Sequence, residues 1–354
     1  MQALLTKMAI FVRCAAACAA VLSLCCACDR STPAPPTVRG VAYVRYLGQG
    51  RSDVWLTRLD RGRRLIARNA DGPILSPDGR WIAYARCVAA DYCGDVYLAS
   101  TDGAERRLLA RRFEAGAWTP DSKRLIGWRP SHASRRALVR VDVRDGTVTR
   151  LVDRAVERFA VSPSGREVCV VINRRGHLDL YVVGTDGGRV HRLTSGGVSD
   201  FPVWGRYGIA FSRQVRRGTL PHNAWGADEI WSIDPGGGGS RRIARPPAHI
   251  LGSGITGLAP IAWSRDGRRI VAALLNEFGG PPYSVNARTG AVRRIGSYGY
   301  TAWPFGLSRD GRSVLVEDRK YERLDRSQRV EIVPYAGGPP VVVARFAGSP
   351  TWNG

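Results

Sequence analysis

Ser76-Pro-Asp-Gly-Arg-Trp-Ile-Ala-Tyr84 is turn chemistry followed at once by an apolar strand. Pro presets φ, Asp caps the turn and Gly accepts a positive φ. The same word recurs as Thr119-Pro-Asp-Ser-Lys-Arg-Leu-Ile-Gly127, Ser162-Pro-Ser-Gly-Arg-Glu-Val-Cys-Val170, Ser264-Arg-Asp-Gly-Arg-Arg-Ile-Val-Ala272 and Ser308-Arg-Asp-Gly-Arg-Ser-Val-Leu-Val316. Trp204-Gly-Arg-Tyr-Gly-Ile-Ala-Phe211 is a shortened copy. The anchors at 76, 119, 162, 205, 264 and 308 lie 43, 43, 43, 59 and 44 residues apart. A period near 43 fits one four-stranded blade of a β-propeller.

Each unit continues in the same way. A second alternating strand follows a loop, as in Asp95-Val-Tyr-Leu98 and Glu229-Ile-Trp-Ser-Ile233. Another Asp-Gly turn, such as Thr101-Asp-Gly103 or Thr185-Asp-Gly187, leads to an outer strand opened by Arg64, Arg107, Arg150, Arg192, Arg242 or Arg294. The order is a meander. The last residues, Ser349-Pro-Thr-Trp-Asn-Gly354, read as an innermost strand cut off in its turn, and Arg39-Gly-Val-Ala-Tyr-Val44 reads as the strand that should follow it. The expectation is an all-β, seven-bladed propeller of four-stranded antiparallel blades over 39–354. The C-terminal strand would join the first blade, and such closure removes sheet edges that invite aggregation.

Composition agrees. Hydrophobic residues make up 44% and charged residues 23%, enough apolar material for a core in a chain of 354 residues. The 41 Gly and 21 Pro suit many turns and argue against a helical bundle. Disorder, collagen, a coiled coil and a multi-span membrane protein are excluded on the same grounds. The net charge is +23, and of 53 basic residues only Lys7, Lys123 and Lys320 are Lys. Such a chain suits acidic polymers or anionic lipid, although an Arg-biased genome gives the same composition.

The first 27 residues read as a signal peptide. Lys7 and Arg13 precede the short apolar run that ends Leu24-Cys-Cys-Ala-Cys28, too short for a comfortable span. The end of that run resembles a bacterial lipoprotein signal, which implies lipidation of Cys28 after Ala27. Plain secretion is the alternative. Residues 28–38 are then a lipid anchor and Pro-rich tether.

The repeats resemble the TolB-type propeller family of WD-like repeats. The resemblance rests on the Ser-Pro-Asp-Gly turns with Ile-Ala-Tyr and on the later Asp-Gly turn leading to Arg-Leu, and it covers nearly all of 39–354. It is specific for fold and weak for function, because the repeat also occurs in peptidases and sugar-active enzymes. TolB carries an α/β domain ahead of its blades and is soluble in the periplasm; here a tether and anchor are expected instead.

Catalytic signatures are sparse. His132, His177, His191, His222 and His249 form no metal-ligand spacing, so no metal and no cofactor is expected. No Gly-x-Ser-x-Gly elbow occurs. Asp78, Asp121, Asp266 and Asp310 belong to different blades and cap turns. Cys87 and Cys93 could face each other across a hairpin, so an exported protein would pair them as a disulfide; two reduced thiols are the alternative. Cys169, in an apolar strand, reads as an inert core residue.

Topology puts the Asp-Gly turns on one face and the longer connections on the other. Blade five has two expansions on that second face, Arg213–Gly226 and Arg245–Gly257. Together with the loops Asn276–Tyr283 and Asp318–Arg323 they offer Arg213, Arg216, Arg217, His222, Trp225, His249, Phe278, Tyr283 and Tyr321 as binding residues. Irregular loops on a rigid scaffold carry function, and Arg with aromatics suits interface hot spots. The Arg residues before the outer strands form a basic girdle that could meet anionic lipid or wall polymer, or simply pair with the Asp-Gly turns. The expectation is a non-catalytic, membrane-anchored monomer that binds an envelope protein through the loop face or central channel. The alternative is a glycan- or peptide-active enzyme with its site at the channel mouth. Nucleic acid is not an expected partner of an exported chain.

Overall fold

The computed structural model describes residues 40–48, 50–58, 60–86, 94–130, 136–215, 229–247, 257–275, 280–299, 301–319 and 328–352. Among them are seven four-stranded antiparallel sheets, each a run of sequence-consecutive strands except at the closure. Blade two, from the channel outward, is Ala70–Leu75, Trp81–Arg86, Asp95–Ser100 and Arg106–Ala110. Blade one places Ala347–Trp352 innermost, beside Val41–Gly48. The closing strand pairs antiparallel with it, Val41 opposite Trp352 and Arg45 opposite Ala347. The chain is therefore a closed seven-bladed propeller, with its ring joined through a strand from the other end of the sequence.

The repeated turn behaves as its chemistry requires. Ser76 Oγ donates to Asp78 Oδ1 at 2.5 Å, and the same carboxylate accepts the Arg80 amide at 3.0 Å. Ser264 with Asp266 and Ser308 with Asp310 repeat the contact at 2.6 and 2.5 Å. These Asp residues hold turns. In every blade the innermost strand shifts register against its neighbour, a bulge that steepens the twist of the blade.

The core lies between blades. One buried cluster packs each of the seven interfaces; Leu98 and Leu109 of blade two, for instance, meet Phe113 and Leu125 of blade three. At the seam between blades seven and one the fully buried residues are few: Val41, Tyr43, Leu315, Val330, Ile332 and Ala347. Cys169 is buried in the interface of blades four and five, and burial pushes its thiol far above the usual range.

One expectation needs correction. Arg192 and Arg294 close their outer strands, Gly187–Arg192 and Val292–Arg294, instead of opening them. In blade four the tight turn lets Gly184 pair with Gly187 directly, so the strand begins early. Of the two readings of the Arg girdle, contact with the turns is the one seen at Arg64. Arg64 donates to the carbonyl of Asp102, in the next blade's Asp-Gly turn, and Arg107 donates to the carbonyl of Val143 in the blade after that. These guanidiniums fasten neighbouring blades at the rim.

Candidate functional site

The second and third strands of a blade meet at the face that carries the long connections. There a three-residue pattern repeats. Arg45 stands opposite Asp53, Arg86 opposite Asp95 and Arg213 opposite Glu229. Two residues after each acid comes an aromatic ring: Trp55, Tyr97 and Trp231. The Arg lies diagonally over that ring, at 5.8, 5.9 and 5.0 Å from its centroid respectively. Blade seven swaps the charges, with Asp318 opposite Arg329 and 3.6 Å between them.

The acid of this pattern holds the connection to the next blade. Asp53 accepts the amide of Asn69, and Asp95 accepts that of Arg112, each at 3.1 Å. Both amide donors have positive φ, 49° and 48°, so a carboxylate fixes a backbone turn that non-Gly residues enter at a cost. Asp179, 1% exposed, binds Arg192 at 2.6 Å.

Blade five makes the most of this device. The Glu229 side chain is 2% exposed and accepts Arg245 at 2.8 Å, with Arg242 at 3.8 Å. Its second oxygen accepts the Trp231 indole N–H at 3.1 Å. Arg213 and Glu229 flank the first expansion of the blade, and Arg245 opens the second. One buried carboxylate thus anchors the roots of both.

Of the nine residues expected to bind, the structure describes two. Arg213 is the Arg of the repeated pattern, stacked on Trp231 at the base of its loop. Tyr283 is a correction. It is 5% exposed and packs in the core between blades five and six. It is the strand aromatic of blade six, equivalent to Trp231, and not part of the loop ahead of it. Arg216, Arg217, His222, Trp225, His249, Phe278 and Tyr321 lie outside the described residues, as do Cys28, Cys87 and Cys93.

The innermost strands add a feature that the loop-centred reading missed. Counting back from each turn, the same position is Asp71, Glu114, Glu157 and Asp200 in blades two to five. Each sits at or next to the start of its strand, on the loop-bearing face at the channel mouth. Glu114 pairs with Arg136, and Asp200 binds Arg158 at 2.7 Å. Burial raises the Asp200 carboxyl above its usual range, Arg158 opposes the shift, and Glu157 adds to it. Arg158 also stacks over Phe201 at 4.0 Å. A shared register signalled this arc. Among the described residues no group of three or more His, Cys, Asp or Glu is placed to hold a metal.

No protein-family model and no curated protein sequence matches the chain. Its likeness is to solved structures. It superimposes on TolB from Acinetobacter baumannii with a TM-score of 0.52 and 17% identity, over 89% of this chain and 83% of that one. An oligogalacturonate lyase from Vibrio parahaemolyticus gives 0.56 and 13%, over 79% and 88%. A prolyl endopeptidase gives 0.63 and 13%, over 87% of this chain, which spans 48% of the enzyme's length. At these identities the likeness establishes the fold, a TolB-like propeller that scaffolds and enzymes share.

Proposed function

We propose that the protein is a non-catalytic propeller scaffold, exported and lipid-anchored at Cys28, that binds a protein of the cell envelope through its loop-bearing face. Glu229 carries this reading. A scaffold that presents loops must hold their roots rigidly, and a single buried carboxylate ties down both expansions of the one blade that breaks the repeat spacing. The loops themselves supply Arg216, Arg217, His222, Trp225 and His249, a composition rich in cations and rings. Around the channel mouth the acid arc and Phe201 add a second, oppositely charged patch. The boundaries follow the sequence: a signal peptide over 1–27, anchor and tether over 28–38, propeller over 39–354.

The test is a crosslinking pull-down from intact cells. It compares wild type with a variant carrying Ala at His222, Trp225 and Phe278. A specific envelope protein captured by wild type and lost in the folded variant supports the scaffold. No partner in either sample contradicts it.

One observation favours the enzymatic alternative. Asp200 is buried, its carboxyl is raised mainly by that burial, and Glu157 and Arg158 lie beside it. A raised carboxyl at a channel mouth suits general acid catalysis on a glycan or peptide. Turnover of oligogalacturonate or of short peptides that disappears in Asp200→Asn would establish that reading in place of the first.

A further inference from the structure

The seam between blades seven and one is underfilled. A groove of about 440 Å³ opens there, lined by Tyr43, Arg45, Trp55 and Arg63 on one side and Val342 to Phe346 on the other. Five consecutive residues of blade seven border it, so the backbone edge of the outer strand Val341–Arg345 faces the groove as well as its side chains. Among the described residues that strand pairs only with Arg329–Pro334, and no strand pairs with its other edge. Its first four residues, Val-Val-Val-Ala, are apolar where the outer strand of every other blade carries Arg among its first four. Val341, Val342 and Phe346 are 53%, 39% and 42% exposed, and Leu47 adds another 46%. An exposed apolar edge strand is a hazard that proteins normally blunt, and one left in place marks a contact surface.

The cations around it form no ion pair among the described residues, although Asp53 stands opposite Arg45 in register. Arg45 and Arg63 stack on Trp55 from 5.8 and 6.0 Å, yet neither they nor Arg345 has a carboxylate within ion-pair distance among the described residues. The Trp55 indole N–H is buried without an acceptor. In blade five the equivalent indole, Trp231, donates to Glu229. The seam therefore presents an apolar wall, a free strand edge, three unpaired guanidiniums and an unmet donor.

We propose that this seam binds an extended peptide segment of a partner protein in which apolar residues alternate with Asp or Glu. Such a segment would add as a strand to Val341–Arg345, set its apolar side chains on Val342 and Trp55, and offer its carboxylates to Arg45, Arg63 and Arg345. A second copy of this chain, itself carrying +23, is a poor occupant on charge grounds. The groove borders the loop face, where Arg45 and Trp55 lie, but uses none of the blade-five loops and does not depend on the function proposed for them. Phe346 alone links its wall to the closing strand, so occupancy should also tighten the ring.

The test uses the purified full-length protein and a fluorescent nine-residue peptide alternating Glu with Val. The expected results are saturable binding, a raised Tm, weakening with salt, and at least about tenfold loss in folded Arg45→Glu/Arg63→Glu and Val342→Glu variants. Arg158→Ala, at the channel mouth, should leave peptide affinity unchanged. Absence of saturable binding, equal binding of a Lys/Val peptide, or affinity indifferent to the seam substitutions overturns the proposal. So does a concentration-dependent dimer, seen by sedimentation, that Val342→Glu abolishes; the seam would then be a self-contact.

Discussion

At the scale of single residues, carboxylates do most of the organising. Asp102, Asp145 and Asp266 are held below their usual range, chiefly by hydrogen bonds from Ser100, from the Thr147 amide and hydroxyl, and from Ser264. A depressed carboxyl contributes stability above its unfolded pKa and loses it as pH falls through the folded value. The melting temperature should therefore hold near neutrality and drop steeply below about pH 4. Asp200 acts in the opposite sense, because its raised carboxyl favours the protonated folded state just above the ordinary range. A melting temperature flat from neutrality to about pH 2.5 would contradict these assignments. Glu229→Gln should cost about 1–3 kcal/mol in denaturant unfolding, because it weakens the charge-assisted bond from Arg245 and removes the ion pair with Arg242. Loop proteolysis should accelerate near residues 213 and 245 in the same variant; unchanged cleavage there would remove Glu229 from its anchoring role.

Elements show what local sequence reveals and what it hides. The Ser-Pro-Asp-Gly turns are legible because the hydrogen bonds that shape them lie within five residues, as between Ser76 and Asp78 or Trp81; the bonds they make with Ser122 and Thr101 do not. The blade count and closing strand were legible because the period is regular and both ends are incomplete copies of it. Tyr283 was misread because it was grouped with the loop before it; aligned on Trp55, Tyr97 and Trp231, it is a strand residue. In the sequence Glu229 is only the start of a strand, since its importance comes from Arg242 and Arg245 beyond a further turn. The seam was invisible, because Arg45 and Arg345 meet only when the ring closes. Gly348 shows how tight that closure is. A Cβ there would lie 2.8 Å from Glu317 Oε1, and Glu317 is fully buried while accepting the Ser349 amide at 2.8 Å. Gly348→Ala should destabilise by about 1–3 kcal/mol through overpacking at the closing strand. A neutral unfolding midpoint would mean that this strand is not held as described.

For the whole molecule, a closed ring of similar blades yields two unlike faces. The turn face is regular, riveted by Arg64 to Asp102 and Arg107 to Val143. Its opposite carries the acid arc and the anchored roots of the two blade-five expansions. Rigid blades with variable connections on one side are the reason that we propose that side as the surface where a partner is chosen. Site-specific photocrosslinking in intact cells tests this most directly, with the crosslinker placed in turn at positions 214, 246 and 319 on the loop face and at 104, 145 and 186 on the turn face. Capture of one envelope protein from the first set and not from the second is the predicted result. Equal capture from both sets, or none from either, would contradict the assignment of the loop face as the binding surface.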